Sequence, residues 1–358
     1  MALDNIEAKK IFVPLKEPFK YALDTLSELP YVLITINSGD FVGIGEASPA
    51  TDITGETQES VISIINFIKP LIREKSVENI NDIKEILEVF DTYVVNNQAA
   101  RSGIEMALFD LLGKKINKPV YKILGGKSKK IIKIQKTFGF FDEDNLENEV
   151  KRSIEEAKNL GAEIIKYKVG FNKEYDLALV KFARKYSPKI KIVLDVNQGW
   201  KNLKQASQMF SILKKYNISW IEQPVLAHDY ENSFLLMKKY KIPIMIDEGM
   251  KSIEDCELIK FKKAANMINI KITKVGGFLR AKEIISFCEK NKIEYMLGDM
   301  IHTNIGMAAN LHLATMGNFV SFDIDNTRVK NDITEGITNN GLEYQVPQGA
   351  GLGIKLKN

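Results

Sequence analysis

Two cysteines and three histidines among 358 residues leave little material for thiolate or imidazole chemistry. Cys256 and Cys288 lack the short paired spacing of a zinc site and any secretory context. Neither a disulfide framework nor a thiolate zinc centre is therefore expected, and both read as buried thiols. His228, His302 and His312 form no triad or zinc pattern, and His302 alone is read as a pocket wall. Long hydrophobic runs are also missing: no stretch reaches the ~18 apolar residues of a membrane span. The first ten residues carry charges where a signal peptide needs an apolar core. A soluble, cytoplasmic protein without a membrane partner is the expectation. Charge of one sign is scarce too, since Lys plus Arg less Asp plus Glu is 50 − 46 = +4, spread along the chain. That is a lysine-rich surface rather than a basic stripe, so no nucleic-acid partner is expected.

What is present is ordinary globular material, 45% hydrophobic and 27% charged, which excludes a natively unfolded chain. The length suits two structural units. Over residues 1–125, strand-like runs at Ile6–Val13, Tyr31–Ile36 and Phe41–Glu46, with Ser38-Gly39-Asp40 as a hairpin turn, precede helical patterns at Glu56–Ile72, Val77–Phe90 and Ala99–Lys115. In the last of these Ile104, Leu108, Leu111 and Leu112 fall on one face. This is an α+β unit. Over residues 126–325 eight β-branched runs alternate with amphipathic helices: Ile131–Thr137, Ile164–Val169, Ile190–Val196, Ile218–Glu222, Ile242–Asp247, Met267–Ile272, Ile293–Leu297 and Val320–Asp325. The fold class is α/β, a (β/α)7β modified TIM barrel. Lys168, Asp195, Glu222, Asp247 and Lys271 recur at one β/α unit each, so five ionisable side chains should meet at the C-terminal mouth.

Three carboxylates on adjacent strands, Asp195, Glu222 and Asp247, suit a hard divalent cation such as Mg²⁺. Any one of them alone reads more plainly as a strand-end cap. Lys166 and Lys168 flank Tyr167 and so share a face of their strand. Two ammonium groups buried together should push the pKa of at least one lysine down. Lys271 lies across the barrel, and a metal between lysines on opposite sides is a layout for moving a proton on or off a carbon from either face. Asp323 and Asp325 share a face of the eighth strand and could hold a cationic group, or cap a helix. Thr137 could hydrogen-bond substrate. Asn197 is placed to orient Asp195. Glu248 points away from Asp247 and is read as a supporting partner, with a hydrogen bond to Lys271 as the specific expectation.

These residues resemble the enolase superfamily, and within it the muconate-lactonizing-enzyme subgroup. The motifs are Lys166-Tyr-Lys168, Asp195-Val-Asn197-Gln-Gly-Trp200, Glu222-Gln-Pro224, Asp247-Glu248, Asn269-Ile-Lys271 with Gly276-Gly277, and Gly351-Leu-Gly353. Gly43-Ile-Gly45-Glu46-Ala47 and the segment Arg101 to Asp110 extend the likeness to an N-terminal capping domain, with 326–358 returning to it. The resemblance implies one Mg²⁺ per subunit on Asp195, Glu222 and Asp247, acid/base lysines Lys168 and Lys271, and Lys166 tuning Lys168. It also implies removal of a proton next to a carboxylate to give a metal-stabilised enediolate. Asp323-x-Asp325 resembles the dipeptide epimerases, where such a pair holds the α-ammonium and the α-carbon of the C-terminal residue of an L,L-dipeptide is inverted by 1,1-proton transfer. Homo-oligomers are common in the family, and no interface can be read from the sequence.

Ile53-Thr54-Gly55-Glu56 and Pro18 to Leu23 resemble the two loops that close over substrate side chains. The chain departs from the L-Ala-D/L-Glu epimerases at Asp24, where those carry an arginine, and at Gly298-Asp299-Met300-Ile301-His302, where a small residue and a glutamate are usual. If Asp24 and Asp299 both face substrate, with Ile301 beside them, the pocket favours neutral or cationic side chains unless Lys20 or Arg328 supplies a positive charge. The alternatives on the same scaffold are a cycloisomerase, an o-succinylbenzoate synthase-like lyase and an N-acylamino-acid racemase. A Schiff-base aldolase and a catalytically dead barrel are the readings outside it.

Overall fold

The computed structural model describes residues 2–127 and 130–357. Strands β1 (Asn5–Lys20), β2 (Thr25–Ser38) and β3 (Phe41–Ala47) form an antiparallel sheet in chain order. The first two run well beyond the alternating segments expected from sequence. Their outer halves make a long hairpin arm with a register shift between Pro14 and Phe19, where Pro14 and Pro18 lack the N–H groups a regular ladder needs. Helices α1 (Gln58–Ile72), α2 (Ile80–Tyr93), α3 (Gln98–Lys115) and the short α4 (Val120–Leu124) follow.

After β4 (Ile131–Lys133), the chain enters a parallel barrel of β5 (Lys136–Phe138), β6 (Ile164–Lys168), β7 (Lys191–Asp195), β8 (Trp220–Glu222), β9 (Ile244–Ile246), β10 (Met267–Ile270), β11 (Glu294–Gly298) and β12 (Phe322–Asp323). Neighbours in sequence are neighbours in the sheet. Helices α5 (Leu146–Asn159), α6 (Lys173–Tyr186), α7 (Leu203–Leu213), α8 (Tyr230–Tyr240), α9 (Ile253–Lys262), α10 (Ile272–Val275), α11 (Phe278–Asn291) and α12 (Asn304–Leu313) lie between the strands. The seam between β12 and β5 is drawn together by Gln135 N–H donating to the Phe322 carbonyl at 2.8 Å and by Ser321 Oγ donating to Gln135 Oε1 at 2.6 Å. Val193, Trp220, Met245, Met267 and Met296 fill the barrel interior, so the site stands on a packed floor. Cys256 and Cys288 are free and buried, as expected. Among the described residues no helix is long and apolar enough to cross a membrane.

Short strands β13 (Thr334–Glu335), β14 (Asn339–Asn340), β15 (Glu343–Gln345) and β16 (Lys355–Leu356) complete the chain. They revise the first barrel strand. Ile131–Thr137 is not continuous: β4 pairs antiparallel with β15, and only β5 joins β6. The change of partner falls at Ile134, whose N–H goes to the Leu342 carbonyl, and Gln135, whose N–H goes to Phe322. The final segment also bridges to β1 at Leu15–Val329, and buried Asp110 of α3 accepts from Ile44 N–H at 2.8 Å and Leu352 N–H at 2.7 Å.

The one-sided apolar face expected for α3 is not what the helix uses. Every residue from Ala99 to Gly113 is buried, because one side packs on β2 and β3 and the other on the barrel, with Phe109 edge-on to Phe278 of α11 at 5.4 Å. Glycines permit the approach to the sheet. A Cβ on Gly45 would lie 2.1 Å from the Gly103 carbonyl oxygen, and one on Gly43 would lie 2.1 Å from that of Ala107. Gly45→Ala is therefore expected to destabilise the protein by about 1–3 kcal/mol or more through overpacking against backbone. A urea melt of the variant that matches wild type would refute this reading of the contact.

Candidate active site

The period-2 geometry of β6 sends Lys166 and Lys168 inward and Tyr167 outward, where its ring stacks on Phe138 and its hydroxyl meets Ser153 of α5. Lys166 is 2% exposed, and its Nζ lies 2.9 Å from Asp195 Oδ2, 3.0 Å from Glu222 Oε2 and 2.5 Å from Asp323 Oδ2. Lys168 Nζ donates to Asp195 Oδ2 and to Asn197 Oδ1, both at 2.7 Å. Across the barrel Lys271 Nζ is 2.7 Å from Asp247 Oδ2.

The fall in pKa expected within the Lys166 and Lys168 pair does not occur at Lys166, and Lys271 across the barrel is raised as well. Burial alone would lower both, but the Asp195, Asp323 and Glu222 carboxylates around Lys166, and Asp247 beside Lys271, more than offset it and hold both ammonium groups well above the ordinary lysine value. The two ammonium groups of β6 sit among anions rather than against each other alone.

The carboxylates divide in the same way. Burial would raise Asp195, yet Lys166 and Lys168 bring it down to about 2. Glu222 is pushed up to about 8 by burial and by Asp195, and Asn269 Nδ2 donates to its Oε1 at 2.9 Å. Glu248 is raised to about 7 by burial and the Asp247 charge. Its Oε1 accepts from Asn197 Nδ2 at 3.0 Å, so its partner is Asn197 while Lys271 turns to Asp247. Asn197 does brace Asp195, its N–H donating to Oδ1 at 3.2 Å. Among the described residues no group of three or more His, Cys, Asp or Glu is gathered into a closed metal cage. The trio from β7, β8 and the end of β9 nonetheless fits a divalent cation. All three are buried, Asp195 and Glu222 end neighbouring strands in register, and Glu222 is destabilised as an anion by its neighbours, the condition a bound cation relieves.

Lys168, Lys271, Lys166, Asn197, Thr137, Asp299, Ile301, Asp323, Asp325 and Ile53 line one cleft that opens to solvent. Thr137 Oγ1 donates to Asp323 Oδ1 at 2.5 Å. Ile301 holds φ +60°, a strained value for a β-branched residue, and is kept there by Asp299 Oδ1 accepting its N–H at 3.2 Å and by the Tyr31 hydroxyl donating to its carbonyl at 3.0 Å. His302, read as a pocket wall, lies fully buried behind this segment, Nδ1 2.7 Å from Glu46 Oε1.

Two expected substrate contacts fall elsewhere. Asp24 sits exposed at the hairpin tip, accepting Thr25 N–H, and lines a neighbouring hollow rather than the cleft, because the turn aims its carboxylate back along its own backbone. The Thr54 hydroxyl closes its own turn on the Ala50 carbonyl. In their place the hairpin contributes Phe19, Tyr21 and Leu26. The Tyr21 ring centroid lies 5.7 Å from Lys168 Nζ, and its hydroxyl donates to Asp52 at 2.9 Å, linking the two loops. The sequence reading also passed over Lys274, fully buried, whose Nζ lies 2.5 Å from Asp247 Oδ1, 2.5 Å from the Asp247 carbonyl and 2.9 Å from the Asn269 carbonyl. Its signal was the three-residue step from Lys271, which one turn of helix brings back to the same strand end.

Residues 5–125 match the mandelate racemase / muconate lactonizing enzyme N-terminal domain, and residues 149–358 match the enolase C-terminal domain-like family. The chain is 30% identical over 364 residues to the N-succinyl-L-Arg/Lys racemase of Bacillus cereus, covering 99% of this chain and 96% of the relative. It is 33% identical over 362 residues to the hydrophobic dipeptide epimerase of Enterococcus faecalis, covering 99% of each. The crystal structure of the dipeptide epimerase from E. faecalis V583 complexed with Mg and L-Leu-L-Tyr superposes with a TM-score of 0.91 at 31% identity over 99% of both chains. A barrel mouth built from lysines and carboxylates on successive strands, a capping sheet over it and these matches together make the chain a member of the enolase superfamily, in its mandelate racemase/muconate lactonizing enzyme branch, and an isomerase within it.

Proposed function

We propose that the protein is a Mg²⁺-dependent dipeptide epimerase that inverts the α-carbon of the C-terminal residue of L,L-dipeptides by 1,1-proton transfer. The observation that carries this is one cleft holding Lys168 on one wall, Lys271 on the opposite wall and the carboxylates of Asp323 and Asp325 at the seam between β12 and β5. Asp195, Glu222 and Asp247 would hold Mg²⁺. When bound, that ion supplies positive charge to the substrate carboxylate and lowers the free energy of the carbanion next to it.

The chain's own residues do the rest. One lysine takes the α-proton and the other returns a proton from the opposite face, so both must change protonation state in a turnover. Each starts as an ammonium tied to a carboxylate, Lys168 to Asp195 and Lys271 to Asp247. With Asp195 and Asp247 serving as cation ligands instead, one lysine would lose its proton to solvent and act as the base, while the other, still an ammonium, would return a proton. Phe19, Tyr21, Leu26 and Ile53 cover the cleft with apolar surface and exclude water. An apolar roof also suits an uncharged side chain better than the glutamate of an Ala-Glu substrate.

The test is α-proton exchange in D₂O with Mg²⁺, read by mass spectrometry over pooled L-Ala-L-X and L-X-L-Ala dipeptides. Deuterium should enter a subset of them, with the D-epimer appearing in parallel. Protein that binds Mg²⁺ but exchanges no dipeptide would remove the epimerase reading in favour of the N-acylamino-acid racemase or lyase chemistry of the same scaffold.

A further inference from the structure

The carboxylates that line the cleft are not equally available to a ligand. Asp323 is spent within the protein: Oδ2 is 2.5 Å from Lys166 Nζ, and Oδ1 accepts the Thr137 hydroxyl at 2.5 Å. Its charge is matched by a buried ammonium, and both oxygens already have strong donors. Asp299 differs. Among the described residues Oδ1 accepts only the N–H of Ile301 at 3.2 Å, and Oδ2 only the N–H of Asp325 at 3.0 Å. That second bond sets the two carboxylate-bearing residues side by side on the same stretch of wall. The donors to Asp325 are Thr327 N–H at 2.8 Å, the Thr327 hydroxyl at 2.6 Å and the Tyr344 hydroxyl at 3.4 Å, and all of them address Oδ1, leaving Oδ2 for the cleft.

Two cationic groups near this wall direct their hydrogen bonds elsewhere. Arg328 donates to the Thr137 carbonyl at 2.5 Å with its guanidinium 4.6 Å from the Phe19 ring centroid, and the His302 imidazole is held by Glu46. Burial raises Asp299 to about 6 against the opposing pull of the His302 imidazole, with the neighbouring Asp323 charge adding to the rise. A cation arriving beside it would relieve that penalty.

The geometry points to Asp299 and Asp325 as the pair that recognises a substrate ammonium in this chain, with Asp323 acting as the counter-ion of Lys166, so that the cleft selects amino-acid derivatives bearing a free amine over N-acylated ones. This rests on the dipeptide reading and deepens it: the negative end of the cleft is moved onto the β11–α12 loop.

The experiment is isothermal titration of the Mg²⁺-loaded wild type, Asp299→Ser and Asp299→Asn with four ligands. L-Ala-L-Leu carries only an α-ammonium, N-acetyl-L-Ala-L-Leu carries none, N-acetyl-L-Ala-L-Lys carries only a side-chain ammonium, and N-succinyl-L-Leu carries a carboxylate instead. Wild type should bind L-Ala-L-Leu about tenfold or more tightly than its N-acetyl form, a difference of about 1.4 kcal/mol. Both variants should shrink that ratio to about threefold or less, and thermal melts identify any variant that has not folded. If N-acetyl-L-Ala-L-Lys shows the same advantage and loses it in the variants, the pair reads a side-chain ammonium as well. A preference for the free amine that survives in both folded variants overturns the assignment. So does a wild type that binds N-succinyl-L-Leu as tightly as L-Ala-L-Leu, for then Arg328 governs this wall. Selective binding of the free amine without any α-proton exchange would sink the epimerase reading and leave the ammonium pair standing.

Discussion

Lys271→Ala is expected to abolish epimerisation while leaving proton exchange intact for only one of the two epimers, and Lys168→Ala should leave it intact only for the other. The lysines approach from opposite walls of the cleft. Each can reach only the hydrogen on its own side of the α-carbon, so each epimer presents its proton to a different base. Loss of a positioned acid/base group typically reduces rate by about 10²–10⁴, and here each loss is confined to one stereochemical direction of exchange. Deuterium uptake measured separately from the L,L and L,D dipeptides reads this directly. A single lysine variant that still interconverts the epimers, or two variants that lose the same direction, would exclude a mechanism with one base on each face.

The second large effect is expected at Lys274, through stability rather than turnover. Its ammonium is fully buried, with Asp247 Oδ1, the Asp247 carbonyl and the Asn269 carbonyl as its acceptors. Burial lowers its pKa and Asp247 opposes that fall, so the pair depends on mutual compensation in a dry setting. Lys274→Met keeps the length and removes the charge. It takes the ammonium donor from a carboxylate oxygen and two main-chain carbonyls, of which that of Asp247 keeps only the Met250 N–H at 2.9 Å, and breaking a buried pair in this way costs about 3–5 kcal/mol. Urea melts should show the loss. Calorimetry should also show weaker Mg²⁺ binding, because Asp247 no longer has one oxygen anchored while the other faces the site. A variant with wild-type stability and wild-type Mg²⁺ affinity would mean that Lys274 only fills space.

The barrel and its mouth were legible because strand period and unit length are local properties. A polar residue ending a β-branched run every 24–27 positions must converge with its counterparts once the strands close, which places Lys168, Asp195, Glu222, Asp247 and Lys271 together from spacing alone. What escaped depended on partners remote in sequence. The break at Ile134 exists because β15, about two hundred residues later, captures β4. The raised lysine pKa values needed the distances to Asp195, Asp323 and Asp247, whereas alternation alone shows only that Lys166 and Lys168 point the same way. Asp24 was expected in the site from its loop position, but the direction of a side chain at a hairpin tip is set by turn geometry rather than by pattern.

The burial of α3 on both sides bears on how substrate enters. Residues of the capping sheet, of this helix and of the barrel belong to one continuous apolar core, and glycine contacts lock the helix to the sheet at backbone distance. A hinged swing of the whole capping domain would tear that core open, at a free-energy cost that binding one small ligand does not offset. Admission and release must therefore be a local event at the rim, in which the Tyr21–Asp52 link parts and the hairpin tip lifts away from the 50–55 loop while both domains stay fused beneath it.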